Sequence, residues 1–403
     1  MLSVKEATDR ILAAFAPLGP EVVALDQAVG RVLAQPVTAR LAHPPQAVSA
    51  MDGYAVRSAD VQQLPLRLKI VASIAAGTLP ERAIGAGEAA RIFTGAALPQ
   101  GADAIVIQEN TEKDGDHVRI VDGGAAIQGK HIRTAGNDFA EGQLGIPAGS
   151  RLTPSDIGLA AAMNWPWLTV ARKPRVAIIS TGNELVQPGE TLKPGQIIAS
   201  NGFALAAFVT QCGGEAINLG IARDEESALA DLIDRAAGAD LLLTSGGASV
   251  GEHDLVQSVL RAKGMALDFW KIAMRPGKPL MFGTLGTAAG ALKVIGLPGN
   301  PVSAIVTSTL FVGPAIARML GVTELGPHIV KARLAIDLPA NDQRQDYLRS
   351  SVIEDERGFV ATPFGKQDSA MLSALSKSGG LVIRPPNSPA IKAGTEVEMV
   401  RLG

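Results

Sequence analysis

Hydrophobic residues near the start of the chain recur with the spacing of one helix face. Ser3 followed by Glu6 is typical of a capping box, and apolar side chains follow at positions 7, 11, 12, 15 and 18. Asp26 is suited to begin a second short helix. A further helix is predicted from Pro154 to Met163, with Ser155 near its start. Helices are therefore expected towards both ends of residues 1–170.

Short apolar runs separated by turn residues occupy the region between these helices. Residues 36–60 are rich in proline and irregular, and strand-like runs follow. The predicted strands are Leu66–Val71, Ala89–Phe93, Ala104–Ile107 and Val118–Val121. Clusters of Asp and Gly at 114–116 and 122–124 are typical of the turns between such strands. This pattern predicts a small β domain over residues 44–135.

After Lys173-Pro174 the pattern changes to alternating strands and helices. The predicted strands are Val176–Ser180, Ala216–Leu219, Leu241–Thr244, Leu267–Ile272, Leu280–Phe282 and Val294–Leu297. The predicted helices are Asn201–Gln211, Glu225–Ala237, Asp254–Ala262 and Pro301–Leu320, with Asp224 and Asn300 at N-caps. Such alternation predicts a largely parallel, doubly wound α/β domain. Short strand patterns return after Gly321, at Ile329–Ile336, Tyr347–Ile353, Phe359–Thr362 and Glu396–Leu402, and predict a C-terminal β domain.

Composition narrows the class of protein. Hydrophobic residues make up 47% of the 403 residues and charged residues 19%, which is typical of a globular chain. The net charge of −2 argues against a protein built to bind nucleic acid. A single cysteine, Cys212, excludes an internal disulfide, suits a reducing cytoplasm and is expected in the core. No signal peptide is predicted, and the uncharged stretch Val294–Ala317 contains Pro and Gly, which favours a buried strand, turn and helix over a membrane span.

Three glycine-containing loops follow predicted parallel strands. They are Thr181–Glu184, Ser245–Gly251 and Pro298–Pro301. Ligands bind beyond the carboxyl ends of the strands in open α/β sheets, and free N–H groups at helix starts attract anions. No P-loop and no dinucleotide-binding glycine motif is present. The loops therefore predict a site for an anionic ligand that is not a P-loop nucleotide.

Charged residues cluster near these loops. As a carboxylate cluster, Glu184, Asp224 and Asp254 could bind Mg²⁺. Glu184 and Asp254 lie in glycine-rich loops, which favours the metal, whereas Asp224 taken alone is interpreted as a helix cap. Lys271, Arg275 and Lys278 lie within eight residues, and Pro276 and Pro279 fix the turn there. Lysine and arginine bind oxyanions by charge and by hydrogen bonds, so this segment predicts an oxyanion site.

Ordered motifs along about 320 residues resemble the MoeA-type molybdopterin molybdenumtransferases. The segment Ser49–Ala55 (SAMDGYA) is by composition alone a turn between strands, but it matches the signature of that family. The other matching segments are 93–96, 136–138, 180–185, 200–201, 244–251, 275–279 and 297–303. The loop SGGASVG resembles the transferases and not the related adenylyltransferases, which carry a different loop.

The resemblance implies four domains and an activity. The domains would be an elongated, discontinuous N-terminal domain (1–43 and 136–170), the small β domain (44–135), the α/β domain (171–322) and the C-terminal β domain (323–403). The enzymes of this family insert molybdate into adenylylated molybdopterin and release AMP. They act as cytoplasmic homodimers whose active site is shared between subunits. Mg²⁺ would be the metal, and an adenylyltransferase and molybdoenzymes would be partners, with neither nucleic acid nor membrane involved.

The resemblance also assigns roles to individual residues. The catalytic positions would be Asp52, Glu184, Asp224, Asp254 and Lys271, of which Glu184, Asp224 and Asp254 would bind the metal. The substrate-binding positions would be Thr94, Asp138, Ser245, Gly246, Gly247, Ser249, Pro298, Gly299 and Asn300. The molybdate-binding positions would be Arg275, Lys278, Arg349 and Ser369. Asp52 and Thr94 are expected to reach the site from the other subunit.

Some positions depart from the family pattern, and alternatives remain. Arg275 replaces a common lysine, Asn183 a common aspartate, and Ala370 a common glycine or histidine. The alternatives are a molybdopterin adenylyltransferase, a non-enzymatic pterin-binding scaffold and a paralogue specific for tungstate.

Overall fold

A computed structural model describes residues 1–121, 127–246, 255–288 and 290–402. The chain divides into two compact units. Unit 1 comprises Met1–Glu21, Gly30–Ala34 and Val170–Gly403, and unit 2 comprises Val22–Val29 and Gln35–Thr169. The finer division into four domains stays a prediction.

Regular elements cover most of the described chain. The helices are α1 Val4–Ala13, α2 Pro154–Ala162, α3 Asn201–Gln211, α4 Glu226–Arg235, α5 Leu255–Ala262, α6 Pro301–Thr307, α7 Gly313–Met319 and α8 Leu372–Ser376, with a π-helical turn at Ser308–Val312 and 3₁₀ turns at Leu25–Gln27, Ser58–Asp60 and Gln108–Asn110. The strands are β1 Pro20–Ala24, β2 Val37–Thr38, β3 Val48–Ser49, β4 Gly53–Val56, β5 Leu66–Ile74, β6 Glu88–Ile92, β7 Ala104–Ile107, β8 Thr111–Asp114, β9 His117–Ile120, β10 Ile132–Arg133, β11 Leu144–Ile146, β12 Trp167–Ala171, β13 Arg175–Thr181, β14 Leu185–Val186, β15 Ile197–Ile198, β16 Glu215–Ala222, β17 Leu241–Ser245, β18 Ala266–Trp270, β19 Met274–Arg275, β20 Met281–Thr287, β21 Gly290–Leu297, β22 Ile329–Leu334, β23 Gln345–Asp355, β24 Gly358–Pro363, β25 Gly380–Arg384 and β26 Glu396–Arg401.

The central sheet of unit 1 has the strand order β16–β13–β17–β21–β20–β18. Strands β16, β13, β17 and β21 are parallel. At one side β20 runs antiparallel to β21, and β18 runs antiparallel to β20. The predicted doubly wound α/β fold is therefore confirmed. The carboxyl ends of the parallel strands lie at one edge of the sheet, so the three loops that follow them can contribute to one ligand site.

Side chains along the parallel strands alternate between two apolar cores. On β13, Val176 and Ile178 face a core shared with α1, α3, α6 and α7. The intervening Ala177 and Ile179 face a second core built with α4 and α5. All four residues are fully buried, as expected for a parallel sheet covered by helices on both faces. This coverage fixes the register of the strands that end at the site.

The capping predictions have different outcomes. Ser3 and Glu6 form the expected capping box on α1, and Asn300 occupies the N-cap position of α6. The N-cap prediction for Asp224 is wrong: Glu225 holds that position without a side-chain cap, because the Asp224 carboxylate accepts a hydrogen bond from the Asn183 amide instead.

The helix predicted from Pro301 to Leu320 is broken near its middle. A π-helical turn at Ser308–Val312 separates α6 from α7. Pro314 has no amide hydrogen, so it cannot continue the helical hydrogen-bond ladder, and the chain adapts in the turn before it. The segment Pro301–Met319 is long and apolar enough to cross a membrane, but 72% of its apolar window is buried inside the protein, as in a core helix.

The remaining sheets are largely antiparallel. Unit 1 carries the C-terminal sheet β19–β23–β24–β22–β26–β25, to which the short strand Met274–Arg275 contributes an edge. Unit 2 carries the sheet β7–β4–β6–β5–β9–β8. Strands β4, β8, β19 and β25 of these sheets were not among the predicted ones, and Gly53, interpreted from composition as part of a turn, begins β4. Strand β8 is mostly exposed and charged, and β25 begins at a Gly-Gly pair, so neither carries the alternating apolar signal of a strand.

Candidate functional site

Polar side chains at the carboxyl edge of the unit 1 sheet are linked by hydrogen bonds. Asn201, the first residue of α3, donates from Nδ2 to Ser245 Oγ (2.8 Å) and to the Gly299 carbonyl (2.7 Å). Ser245 ends β17 and is buried, and Gly299 follows β21. The predicted substrate-binding residues Ser245 and Gly299 are thus brought together. The residue that joins them, Asn201, belongs to a matching motif but was given no role.

Backbone segments approach each other closely at this edge. Gly246 has φ +97°, and a Cβ there would lie 2.6 Å from the Thr181 carbonyl oxygen. Gly299 is also close, since its Cβ would lie 3.4 Å from Gly246 Cα. Only glycine fits a position that combines this conformation with this contact. The predicted residues Gly246 and Gly299 therefore shape the floor of the site.

Replacing Gly246 with alanine is expected to lower the free energy of unfolding by about 1–3 kcal/mol, because the new Cβ overlaps main-chain atoms that cannot move away. Gly264 has φ +88° and no atom near its Cβ position, so Gly264→Ala isolates the cost of the backbone conformation alone. The measurement is urea unfolding of both variants. Equal losses would show that the contact with Thr181 carries no energy.

Acidic residues lie beside the same loops. Asp224 Oδ2 accepts from the Asn183 amide and the Asp224 amide donates to Asn183 Oδ1, both at 3.1 Å. Both Asp224 and Glu184 are exposed, and the Glu184 carboxylate lies over Gly182. Through these two hydrogen bonds Asn183 connects its loop to Asp224. Gly247, Ser249 and Asp254 lie outside the described residues, and the described residues contain no group of three metal-ligating side chains.

The basic segment lies between α6 and the C-terminal sheet. Lys271 has φ +93°, unusual for a residue with a side chain, and its Nζ lies 3.9 Å from the centre of the Trp270 ring. Gly277 packs against α6, since a Cβ there would lie 2.5 Å from Thr307 Cγ2. Lys278 makes no ion pair with any described residue, whereas Arg275 is paired with Asp346.

Arg349, on β23, is the bulkiest of the fully buried side chains, with 1% exposure. Its Nη1 donates to the Met371 carbonyl (3.2 Å) and its Nη2 to the Lys366 carbonyl (3.5 Å). Burial lowers the pKa of Arg349, and the charge of Asp368 partly opposes that shift. Among the described residues no carboxylate lies within ion-pair distance of this guanidinium. A buried positive charge without a paired acid is suited to an anion.

Ser369 joins the C-terminal domain to the start of α6. Asn300 Nδ2 donates to Ser369 Oγ (2.9 Å), and the Val302 amide donates to the Ser369 carbonyl (3.1 Å). Asn300 and Ser369, predicted to bind pterin and molybdate respectively, are therefore neighbours. Pro298 precedes them in the same turn after β21.

In unit 2, Asp52 and Thr94 are bonded to each other. Asp52 Oδ1 accepts from the Thr94 amide and from Thr94 Oγ1, both at 2.8 Å. These bonds, the amide first, lower the pKa of Asp52, and the charge of Arg91 adds to the shift. Asp52 is therefore a half-buried carboxylate that stays ionised at neutral pH.

Unit 2 also contains a pocket of about 660 Å³. Asp138 lines it, together with Asn137, His43, Arg133 and Gly95, the residue after Thr94. Polar groups in a concave site of this size are typical of a small-molecule site. The predicted substrate residue Asp138 thus lies in a pocket.

Comparisons with known proteins agree over nearly the whole chain. Three family models match: "MoeA N-terminal region (domain I and II)" over residues 2–164, "Probable molybdopterin binding domain" over 177–318 and "MoeA C-terminal region (domain IV)" over 331–402. A Nostoc protein named molybdopterin molybdenumtransferase is 38% identical over 389 residues, covering 95% of this chain and 88% of the relative. A protein of that name from Haemophilus influenzae is 34% identical and covers 98% of both chains.

Solved structures lead to the same family. Two crystal structures of the molybdopterin biosynthesis MoeA protein from Pyrococcus horikoshii match with TM-scores of 0.84 and 0.85, at 34% and 29% identity. Each match covers 100% of this chain, and 99% and 100% of the solved chains respectively. Taken with the ordered motifs and the site geometry, these similarities show that the chain belongs to the MoeA family of molybdopterin molybdenumtransferases.

Proposed function

We propose that this protein inserts molybdate into adenylylated molybdopterin and releases AMP and active molybdenum cofactor. The observation that carries the proposal is the neighbourhood of Asn300 and Ser369 (2.9 Å), which joins the predicted pterin loop to the predicted oxyanion site. The buried guanidinium of Arg349 donates to the Lys366 and Met371 carbonyls, which flank Ser369 along the chain. A tetrahedral dianion bound there would lie beside the pterin.

Residue roles follow from this arrangement. Ser245, Gly246, Gly247, Ser249 and the turn Pro298–Asn300 would bind the pterin end of the substrate. Lys278, Arg349 and Ser369 would bind molybdate, whereas the charge of Arg275 is already matched by Asp346. Lys271 would neutralise charge that develops on the phosphate oxygens when the adenylate is cleaved.

We propose that Mg²⁺ is bound by Glu184, Asp224 and Asp254. Carboxylate oxygens are the ligands this ion prefers, and Glu184 and Asp224 are exposed at the sheet edge. When bound, the ion would offset the charge of the phosphoanhydride. The Asn183–Asp224 bonds would orient one of the carboxylates.

Asp254→Asn is expected to abolish most Mg²⁺-dependent cleavage of the adenylate, because it replaces a carboxylate ligand of the proposed metal site with a neutral amide. Binding of Mn²⁺, followed by electron paramagnetic resonance, should weaken in parallel. Asp231→Asn, on helix α4, is a control that should change neither quantity. Normal Mn²⁺ binding and normal cleavage by Asp254→Asn would remove Asp254 from the metal site.

The assembly completes the proposal. The protein would act as a cytoplasmic homodimer in which Asp52, Thr94 and Asp138 of one subunit complete the site of the other. An adenylyltransferase would supply the adenylate, and molybdoenzymes would receive the cofactor.

The test supplies the protein with either adenylylated molybdopterin plus molybdate or molybdopterin plus ATP. The first mixture would yield AMP and a cofactor that activates an apo-molybdoenzyme, whereas adenylyl transfer in the second would yield pyrophosphate and adenylylated molybdopterin. Activity with the first mixture supports the proposal, and activity only with the second would make the protein an adenylyltransferase. Binding of the pterin without either reaction would favour a scaffold. Repeating the first mixture with tungstate identifies the preferred oxyanion.

A further inference from the structure

The guanidinium of Arg275 is engaged by carboxylates on the C-terminal sheet. Its Nε lies 2.9 Å from Asp346 Oδ1 and its Nη2 lies 2.7 Å from Asp346 Oδ2, a bidentate ion pair. Its Nη1 lies 3.5 Å from Asp342 Oδ2. Both oxygens of one carboxylate and all three nitrogens of the guanidinium are therefore in use. The guanidinium of Arg275 is therefore fixed in position, and its positive charge is neutralised by Asp346.

Asp346 is the buried partner of this pair. Its side chain is 4% exposed, against 46% for Arg275. The buried guanidinium of Arg384 and the half-buried one of Arg344 also face it electrostatically. Asp342 is held separately by Arg344 at 2.6 Å, which lowers the pKa of Asp342 to about 2. Asp346 therefore lies among positive charges and anchors the whole cluster.

Main-chain contacts join the same two segments. Met274 and Arg275 pair in parallel with Gln345 and Asp346, and the Gln345 amide donates to the Ala273 carbonyl (2.9 Å). Inside the basic segment, the Ile272 amide donates to the Lys278 carbonyl (3.0 Å). Any movement of Arg275 relative to β23 is thus passed directly to the turn that carries Lys278.

We propose that Arg275 and Asp346 form a positioning pair that fixes the Met274–Lys278 turn against β23, so that Lys278 and Arg349 face the oxyanion together. The proposal rests on the proposed function and assigns Asp346 a role in it. The family resemblance instead implies that Arg275 binds molybdate directly. The two roles predict opposite effects for the removal of the Asp346 charge.

The test measures molybdate-dependent insertion by Asp346→Asn and Arg275→Gln, with molybdate binding by calorimetry as a second measurement. A positioning pair predicts that Asp346→Asn raises the molybdate concentration for half-maximal insertion by about tenfold, as loss of an orienting partner does at metal sites. The maximal rate should change much less. If Arg275 bound molybdate directly, removing the nearby negative charge would lower that concentration instead.

The double variant Arg275→Gln/Asp346→Asn adds a second, independent criterion. If the two residues act as a unit, the double variant should need no higher molybdate concentration for half-maximal insertion than either single variant. Arg275 is half exposed, so Arg275→Gln is expected to fold even where Asp346→Asn does not. Asp355 lies on the same strand as Asp346 and forms an ion pair with Arg333 of β22. Asp355→Asn breaks that ion pair and is the matched control, with an expected molybdate requirement equal to that of the wild type.

Each result decides between the roles. A lowered or unchanged requirement in Asp346→Asn, or an unchanged one in Arg275→Gln, overturns the positioning pair while leaving the proposed function intact. Wild-type protein that neither binds nor inserts molybdate would refute the proposed function, and the pair with it.

Discussion

Replacing Arg349 with methionine should raise the molybdate concentration needed for half-maximal insertion by more than about tenfold, because a fully buried guanidinium bound to a dianion contributes charge-assisted hydrogen bonds of about 1.5–3 kcal/mol each. Methionine fills similar space and leaves no charge behind. The Met371 and Lys366 carbonyls lose their donor, so the free energy of unfolding should fall by only about 1–3 kcal/mol. Cleavage of the adenylate should be affected less than insertion.

Arg401→Met is the matched control for that substitution. Arg401 lies in the same sheet, donates to the Gly379 carbonyl at 2.8 Å and stacks on Phe359, so its loss disturbs similar contacts away from the proposed oxyanion site. Insertion rates against molybdate concentration and urea unfolding of both variants separate binding from stability. If Arg349→Met keeps the wild-type molybdate requirement, Arg349 is structural and the oxyanion must be bound elsewhere.

Asp52→Ala and Glu184→Ala should each lose almost all activity alone, yet recover about a quarter of the wild-type rate when mixed, because random exchange makes half of the dimers hybrid and each hybrid has one intact site of two. Asp52 lies in unit 2 and Glu184 at the sheet edge of unit 1, so each substitution removes a different part of the proposed shared site. The measurement is molybdate insertion after subunit exchange, with exchange followed by mass spectrometry.

A mixture of Asp52→Ala with Thr94→Val supplies the control. Both residues lie in unit 2 and bond to each other, so no site in the hybrid dimer is intact and no recovery is expected. Thr94→Val should also raise the pKa of Asp52 by removing one of its donors, which a carboxyl NMR titration can follow. Because the hydrogen bonds from Thr94 lower the pKa of Asp52 in the folded protein, they stabilise the fold at pH values above the ordinary pKa of aspartate. This stabilisation is lost as the pH falls through the lowered pKa of the folded protein. If the mixture of Asp52→Ala and Thr94→Val recovered as much insertion activity as the first mixture, that result would contradict an active site shared between subunits.

The sequence predicted the α/β domain well because its signals are local. Helix Asn201–Gln211 was predicted with its observed bounds, since apolar spacing marks its body and Gly213-Gly214 marks its end. Strands β13, β17 and β21 of the parallel sheet each contain a continuous apolar run with turn residues on both sides. The π-helical turn was missed: Pro314 marks a place where the helical hydrogen-bond ladder cannot continue, but a proline alone does not specify that a π-helical turn precedes it.

The candidate site could be predicted only as a set of loops. The bonds from Asn201 to Ser245 and from Asn300 to Ser369 join residues 44 and 69 positions apart, and they depend on how the sheets pack. The same holds for Arg275: the cationic cluster was evident in the sequence, but its acidic partner lies 71 residues further on. The sequence shows which charged side chains lie near each other along the chain, but it does not show which of them the fold has already neutralised with an ion pair.

The short strand Met274–Arg275 has a consequence for how the protein can be divided. It lies within the segment assigned to the α/β domain, yet it forms an edge of the C-terminal sheet. A fragment beginning at residue 323 would lack this edge strand and would leave the buried Asp346 without Arg275. A fragment ending at 322 would expose Met274, which is otherwise fully buried. The two regions, although separate in sequence, are therefore expected to unfold together in one cooperative transition.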